Sequence, residues 1–289
     1  MAGSQGQERV LLAIFAHPDD ESFGPGGTLA KYAREGVKAW YVCGTDGNAG
    51  TVDAEMLEGY KSTSQLRAAE LCCAAQMLGL AGIDWLAYRD SGMRGAPEND
   101  HPDSLFQAPL EQVVGQLVAS IRKHKPQVIM CDNQYGGYGH PDHTKLHQAT
   151  LRAFYAAGDP AQYAEFGPAW QPQKLYHPAF GLGVFKWLVR LAPVIGRDPK
   201  KFGRNGDIDL TEVLKWELPS HARIDVSRYL HVKEAASACH RSQGGPMQMM
   251  QRLPGWLRRR IFKYEGFTQA IPAPAAGAPR ARDLFEGCL

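Results

Sequence analysis

The chain has 289 residues, of which 44% are hydrophobic and 21% charged, and its formal net charge is +2. This length and composition are typical of a globular protein, and a single α/β domain of this size is common. A charge so close to zero gives no reason to expect a nucleic acid as partner. The polar residues 1–9 argue against a secretory signal, and no apolar run is long enough to span a membrane. A cytoplasmic location is therefore expected.

The six cysteines suggest the same compartment. They show no Cys-x-x-Cys pair, and two of them are adjacent in a stretch with helical character. This pattern predicts reduced, small buried residues rather than a disulfide framework or a cysteine-rich metal site. The positions are 43, 72, 73, 131, 239 and 288.

Strands and helices alternate along the first half of the chain. The predicted strands are residues 10–15, 37–43, 83–88 and 128–131, and the predicted helices are residues 28–35, 62–78, 105–124 and 144–156. In the second of these helices, Leu66, Ala69, Cys73 and Met77 are expected on one apolar face. Such alternation indicates an α/β fold with a Rossmann-like, mostly parallel sheet and helices on both faces. We expect one domain over residues 1–289, in which the less regular region 159–223 shapes a pocket.

Two His-Pro-Asp motifs follow predicted strands. His17-Pro18-Asp19 comes after the first strand, and His140-Pro141-Asp142 comes after the fourth. In open α/β sheets, ligands bind at the carboxyl ends of the strands, so both motifs are expected at one edge. A turn that caps the following helix is the alternative for either motif taken alone.

The side chains in and beside these motifs predict a hydrolytic metal site. A catalytic zinc ion takes three nitrogen or oxygen ligands and keeps one position for water. His17, Asp20 and His143 supply that number, and Asp19 is left as a general base. Ferrous iron or another divalent ion also suits two imidazoles and one carboxylate. His147, one helical turn after His143, is excluded as a fourth ligand because the site needs an open position.

These motifs resemble the zinc-dependent deacetylase family that includes the N-acetylglucosaminyl-phosphatidylinositol deacetylases and the actinobacterial deacetylase of mycothiol synthesis. Further landmarks of that family occur in the same order and cover nearly the whole chain. They are the segments 44–50, 88–93 and 233–243, Arg67 with Glu70, and the closing residues 283–285.

The resemblance implies roles for further residues. It implies that His140 donates to the oxyanion, that Asp142 orients His140 and holds it protonated, and that Tyr138 reaches the same oxygen. Among the expected substrate contacts, Arg67 and Asp90 match family positions that hydrogen-bond sugar hydroxyls. The third, Met93, resembles a side chain at the mouth of the pocket.

Together these features predict a zinc-dependent hydrolase that removes an N-acetyl group from an amino-sugar glycoside. A GlcNAc-inositol or GlcNAc-malate glycoside is the expected small-molecule substrate, and a homo-oligomer is among the expected partners. An amidase acting on a thiol conjugate or on an acylated antibiotic sugar is a first alternative. A nucleotide-binding module without hydrolase activity is a second, but residues 17–20 stand where its glycine fingerprint would be.

Overall fold

A computed structural model of the chain describes residues 8–179, 186, 189–196, 198–203, 205–244 and 254–289. The strands in these ranges are β1 (Val10–Phe15), β2 (Lys38–Thr45), β3 (Gly82–Tyr88), β4 (Val128–Cys131), β5 (Lys174–Ala179), β6 (Ala222–Asp225) and β7 (Tyr264–Ile271). The α-helices are α1 (Asp20–Phe23), α2 (Gly26–Arg34), α3 (Thr63–Leu78), α4 (Leu110–His124), α5 (Pro141–Ala156), α6 (Leu210–Val213), α7 (Leu230–Cys239) and α8 (Gly255–Ile261). Short 3-10 helices span Ala54–Leu57, Pro97–Asp100, Ala164–Phe166, Ala192–Ile195 and Leu214–Trp216.

The strands form one sheet in the order β3-β2-β1-β4-β5-β7-β6. The first five strands in this order, from β3 through β1 to β5, run parallel, and β7 pairs antiparallel with both β5 and β6. The predicted mostly parallel α/β sheet is thus confirmed. Strands β5, β6 and β7 were not predicted, because they lie in or beyond the region where the alternation of strands and helices breaks down.

Helices cover both faces of the sheet. Along β1, Leu11, Ala13 and Phe15 pack in the core beneath α2, α3 and α7, whereas Leu12 and Ile14 pack in the core beneath α4 and α5. Because successive side chains of a strand point to opposite faces, a strand that is buried throughout requires two covering layers. All six residues of β1 are buried, which explains its uninterrupted apolar sequence.

The apolar face predicted for α3 is wrong in part. Leu66 is buried, but Ala69 and Met77 are exposed. The helix instead buries two charged residues, Arg67 and Glu70. Hydrophobic periodicity does not reveal such a face, because buried charges are tolerated only where partners compensate them.

The prediction that all six cysteines are reduced is also wrong. Cys73 in α3 and Cys239 at the end of α7 form a disulfide, with Cα atoms 5.9 Å apart. The two positions are 166 residues apart in the chain, so local spacing gave no indication of the pair. They meet because α3 and α7 pack against each other. Of the remaining four, Cys43 and Cys131 are buried, whereas the other two are not.

The cytoplasmic location was expected in part because the cysteines were predicted to be reduced. The disulfide removes that argument, and the location stays a prediction. No helix in the described part of the chain combines the length and the apolar character required to cross a membrane.

The sheet contains a switch point between β1 and β4. From β1 the chain proceeds to β2 and β3 on one side, and it later returns to β4 and β5 on the other. The loops that leave β1 and β4 therefore diverge to opposite faces and open a crevice at the carboxyl ends of these two strands, which is where open α/β sheets bind ligands.

Candidate active site

The three predicted metal ligands meet in this crevice. His17 lies just beyond β1, Asp20 is the first residue of α1, and His143 lies in the first turn of α5. The backbone N–H of His17 donates to Oδ2 of Asp20 over 2.8 Å, which closes the loop between β1 and α1. On the other side, the Tyr41 hydroxyl donates to the carbonyl oxygen of His17 over 2.8 Å and fixes the same loop from β2.

One side-chain atom each from His17, Asp20 and His143 forms a compact triangle. Nδ1 of His17 lies 3.0 Å from Nε2 of His143, and Oδ2 of Asp20 lies 3.8 Å from the former and 3.5 Å from the latter. Ligand atoms bound at about 2.05 Å around a tetrahedral zinc ion are roughly 3.3 Å apart. The donor set of two imidazoles and one carboxylate, together with this spacing, fits a divalent metal ion.

Asp132 holds the ring of His143, and the sequence analysis missed it. Its Oδ2 lies 2.5 Å from Nδ1 of His143, which leaves Nε2 to face His17 and Asp20. Metal-binding histidines typically donate their second nitrogen to a carboxylate or carbonyl in this way. Asp132 directly follows β4, so its position at a strand end was the available signal. The backbone carbonyl of Asp132 accepts from Nδ1 of His147, 2.9 Å away.

His17 faces two carboxylates on its other edge. Its Nε2 lies 3.5 Å from Oδ1 of Asp90 and 3.5 Å from Oδ2 of Asp142. Burial by itself lowers the pKa of His17, but Asp90, Asp142 and Asp20 outweigh it and hold that pKa well above its usual value. The pKa of Asp20 is raised to about 6, mainly because the carboxyl group is buried. The carboxylates of Asp20, Asp90 and Asp142 thus stabilise positive charge in the crevice, which favours a bound cation.

Asp19 is held by Arg67 rather than used as a helix cap. It occupies the N-cap position of α1 but makes no capping hydrogen bond through its side chain. Instead, its Oδ2 accepts from NH2 of Arg67 over 2.9 Å. Arg67 also donates to the carbonyl oxygens of Pro18 and Gly47, over 2.9 and 3.0 Å, and its side chain is 3% exposed. Both terminal nitrogens of Arg67 thus bond to the protein, and its expected contact with sugar hydroxyls stays a prediction.

His140 and Asp142 are adjacent to the triangle, but their contact differs from the expectation. The backbone N–H of Asp142 donates to Nδ1 of His140 over 3.2 Å, whereas its carboxylate lies 3.9 Å from that nitrogen. The carboxylate accepts instead from the backbone N–H of Ser91, at 2.9 Å, and from the Ser91 hydroxyl. Burial, and then repulsion from His17 and His143, hold the pKa of His140 well below its usual value. Ser91, in the loop after β3, was not recognised from the sequence.

Tyr138 lies beside both histidines, with its ring centroid 5.9 Å from that of His140 and 5.3 Å from that of His143. Burial and the neighbouring carboxylates raise the pKa of Tyr138 well above its usual value, so the phenol keeps its proton. Tyr138 also lines a cavity of about 440 Å³ together with Met93. From the region 159–223, Asp207, Asp209 and Trp216 line the same cavity.

The chain is similar to proteins of one known family. The model of the GlcNAc-PI de-N-acetylase family matches residues 12–154, which include every predicted site residue. A curated relative from Thermomonospora curvata, named 1D-myo-inositol 2-acetamido-2-deoxy-alpha-D-glucopyranoside deacetylase, is 37% identical, and the match covers 97% of each chain. This chain belongs to the GlcNAc-PI de-N-acetylase family. It is an amide-hydrolysing deacetylase, as predicted, and the alternative of a non-catalytic nucleotide-binding module is wrong.

Solved structures of lower identity share the fold. The N,N'-diacetylchitobiose deacetylase from Pyrococcus horikoshii superposes with a TM-score of 0.60 at 22% identity, covering 91% of this chain and 84% of its own. The 4-carboxy-2-hydroxymuconate hydratase GalB from Pseudomonas putida superposes equally well, with a TM-score of 0.61 at 15% identity, covering 92% and 98%. Since a hydratase and a deacetylase share this architecture, the fold alone does not decide the reaction.

Proposed function

We propose that this deacetylase uses zinc to remove the acetyl group from a GlcNAc-inositol glycoside. The observation that carries the proposal is the triangle of His17, Asp20 and His143, with the Asp19 carboxylate anchored beside it. The proposed substrate follows from the name of the Thermomonospora curvata relative, which matches this chain over nearly its full length.

The proposed mechanism assigns the first proton transfer to Asp19. A zinc ion held by His17, Asp20 and His143 would lower the pKa of a water molecule and polarise the amide carbonyl. Asp19 accepts the proton of the attacking water, because the Arg67 guanidinium holds its carboxylate in a fixed direction. Arg67 acts as a positioning residue that fixes the direction of the Asp19 carboxylate.

Tyr138 and His140 are the proposed groups for the carbonyl oxygen and the leaving amine. The Tyr138 phenol keeps its proton and can therefore donate a hydrogen bond to a developing oxyanion. His140 has Nδ1 occupied by the backbone N–H of Asp142, so only Nε2 is left to face the substrate. The newly protonated Asp19 supplies the proton for the departing amine, whereas the imidazole of His140, whose pKa is lowered, donates only a hydrogen bond from Nε2.

The cavity beyond Tyr138 is the proposed site for the sugar and its aglycone. Asp90 lies between His17 and His140, 3.5 and 3.9 Å from their Nε2 atoms, so its carboxylate is the proposed acceptor for a sugar hydroxyl next to the acetamido group. Met93 and Trp216 supply apolar surface further out. The region 159–223 thus has a proposed part in substrate selection.

The decisive experiment is an amine-release assay with purified protein. The substrate panel contains GlcNAc-inositol, GlcNAc-malate, an acylated antibiotic sugar and an N-acetylated thiol conjugate, each with the apo-protein and after addition of zinc or, anaerobically, ferrous iron. We expect zinc-dependent release of glucosaminyl-inositol with the highest kcat/KM. Preference for the thiol conjugate would establish the alternative amidase, and full activity of the metal-free protein would refute the mechanism.

Metal-ligand variants complete this test. His17→Ala, Asp20→Ala and His143→Ala should each lose activity and the metal of this site, because the water cannot replace a missing protein ligand. His101→Ala is the matched control, since its side chain is 38% exposed and remote from the triangle in sequence. Retention of activity in His143→Ala would show that the ligand set is wrong. A homo-oligomer and a cytoplasmic location remain predictions that this assay does not address.

A further inference from the structure

A second group of metal-binding side chains lies behind the active site and has no part in the proposed mechanism. Cys131 ends β4, His147 lies in α5 and His177 lies in β5, and all three are buried. One potential ligand atom from each lies within 4.8 Å of the other two. Asp132 separates the two groups, since its carboxylate contacts His143 and its carbonyl oxygen contacts His147.

Hydrogen bonds fix the two imidazoles of this group in one tautomer. Nδ1 of His147 lies 2.9 Å from the carbonyl oxygen of Asp132, and Nδ1 of His177 lies 3.0 Å from that of Cys131. A carbonyl oxygen only accepts, so both Nδ1 atoms carry hydrogen and both Nε2 atoms carry a lone pair. Donation from one ring nitrogen to a carbonyl is typical of histidines that bind metal through the other nitrogen, and Sγ of Cys131 lies beside the imidazole of His177, 3.7 Å from its Nδ1.

We propose that Cys131, His147 and His177 bind a second divalent transition-metal ion, of the zinc type, separately from the deacetylase centre. A thiolate with two imidazoles is a donor set that suits zinc and excludes magnesium and calcium. Binding would form bonds from the metal to the sulfur and to two nitrogens and release the thiol proton of Cys131 to solvent. At bond lengths of about 2.3 Å to sulfur and 2.0 Å to nitrogen, these ligand atoms stand roughly 3.5 Å apart. The candidate ligand atoms, which lie within 4.8 Å of one another, would draw closer on binding.

The position of this site implies a structural rather than a hydrolytic function. An ion at His147 would immobilise the carbonyl of Asp132, and with it the carboxylate that orients His143. The second ion would thus brace the end of β4 against α5 and β5. This inference does not rest on the proposed substrate.

Metal counting on the full-length protein tests the proposal. After loading with zinc and removal of unbound metal, we expect two equivalents in the wild type, one in Cys131→Ser and one in His17→Ala. Cys43→Ser is the matched control, since Cys43 is also free and buried, and it should keep two. One equivalent in the wild type, lost in His17→Ala, would overturn the second site while leaving the deacetylase centre intact.

Cobalt substitution provides an independent readout of the sulfur ligand. A bound thiolate gives cobalt(II) an intense near-ultraviolet charge-transfer absorption that imidazole and carboxylate ligands do not give. We expect this absorption in the wild type, His17→Ala and Cys43→Ser, and its loss in Cys131→Ser. If Cys131→Ser does not fold, as judged by circular dichroism, His177→Gln should halve the cobalt content and remove the absorption. Persistence of the absorption in the folded variant, or its absence from the wild type, would refute the proposal.

Discussion

The contact between Asp132 and His143 leads to a quantitative prediction about metal affinity. Asp132→Ala removes the carboxylate that lies 2.5 Å from Nδ1 of His143. A hydrogen bond with a charged partner contributes about 1.5–3 kcal/mol. Loss of the outer partner of a metal-binding histidine weakens metal affinity by about 10- to 100-fold, which corresponds to about 1.4–2.7 kcal/mol and agrees with that range. We therefore expect the zinc dissociation constant of the deacetylase centre to rise by one to two orders of magnitude.

Chelator competition combined with activity measures this change. Activity is recorded at a series of free zinc concentrations set by a chelator, so that only the metal that supports catalysis is counted. Asp132→Asn retains an acceptor oxygen without the charge and should fall between the wild type and Asp132→Ala. Asp103→Asn is the control, because its side chain is 82% exposed. An unchanged zinc midpoint in Asp132→Ala would refute the role given to this carboxylate, and a lower kcat at saturating zinc with an unchanged midpoint would place its effect on catalysis instead.

Three further variants test other parts of the structure. Asp19→Asn should keep its metal but lose on the order of 100-fold or more in kcat, because it keeps the shape of the base without its charge; wild-type turnover would make Asp19 merely structural. Arg67→Ala should lower kcat more than it raises KM, since Arg67 bonds to Asp19, and the free energy of unfolding of this variant should fall by about 3 kcal/mol. An effect on KM alone would instead support the predicted contact of Arg67 with sugar hydroxyls. Cys73→Ser should lower the free energy of unfolding, measured by heat or denaturant, by about 2–5 kcal/mol, because it removes the disulfide with Cys239. Cys72→Ser is the control, since Cys72 is free and exposed, and equal stability of the two variants would contradict a stabilising disulfide.

The first half of the fold could be predicted because its signals are local. The apolar run of β1 and the Ser62 cap and Gly79 end of α3 each depend on a few adjacent residues. Strands β5 and β7 could not be found in this way, since they pair antiparallel although more than eighty residues separate them in the chain. The pairing of Cys73 with Cys239 likewise depends on how α3 and α7 pack, which no local pattern records.

In the candidate site, too, the sequence indicated which residues take part but not which groups they contact. Strand-end position and side-chain chemistry predicted that His17, Asp20 and His143 meet at one edge of the sheet, and the structure brings the three side chains together there. They did not reveal the protein partners of Arg67, because a buried guanidinium has several donors, and its partners depend on which groups the fold brings near. Here those partners include Asp19, a contact that the sequence did not indicate.

Backbone hydrogen bonds hold the carboxylates of the site in fixed directions. Two like charges 4 Å apart repel each other by about 4 kcal/mol at an effective dielectric constant of 20, so acids gathered in one crevice need compensation. Backbone N–H groups provide part of it: His17 donates to Asp20, Gly92 to Asp90 and Ser91 to Asp142. Each of these bonds fixes a carboxylate while leaving the negative charge in place. Because the directions of the side chains are set by the protein, an entering cation gains the attraction of the whole group without having to reorganise it, which is the condition for tight and selective binding.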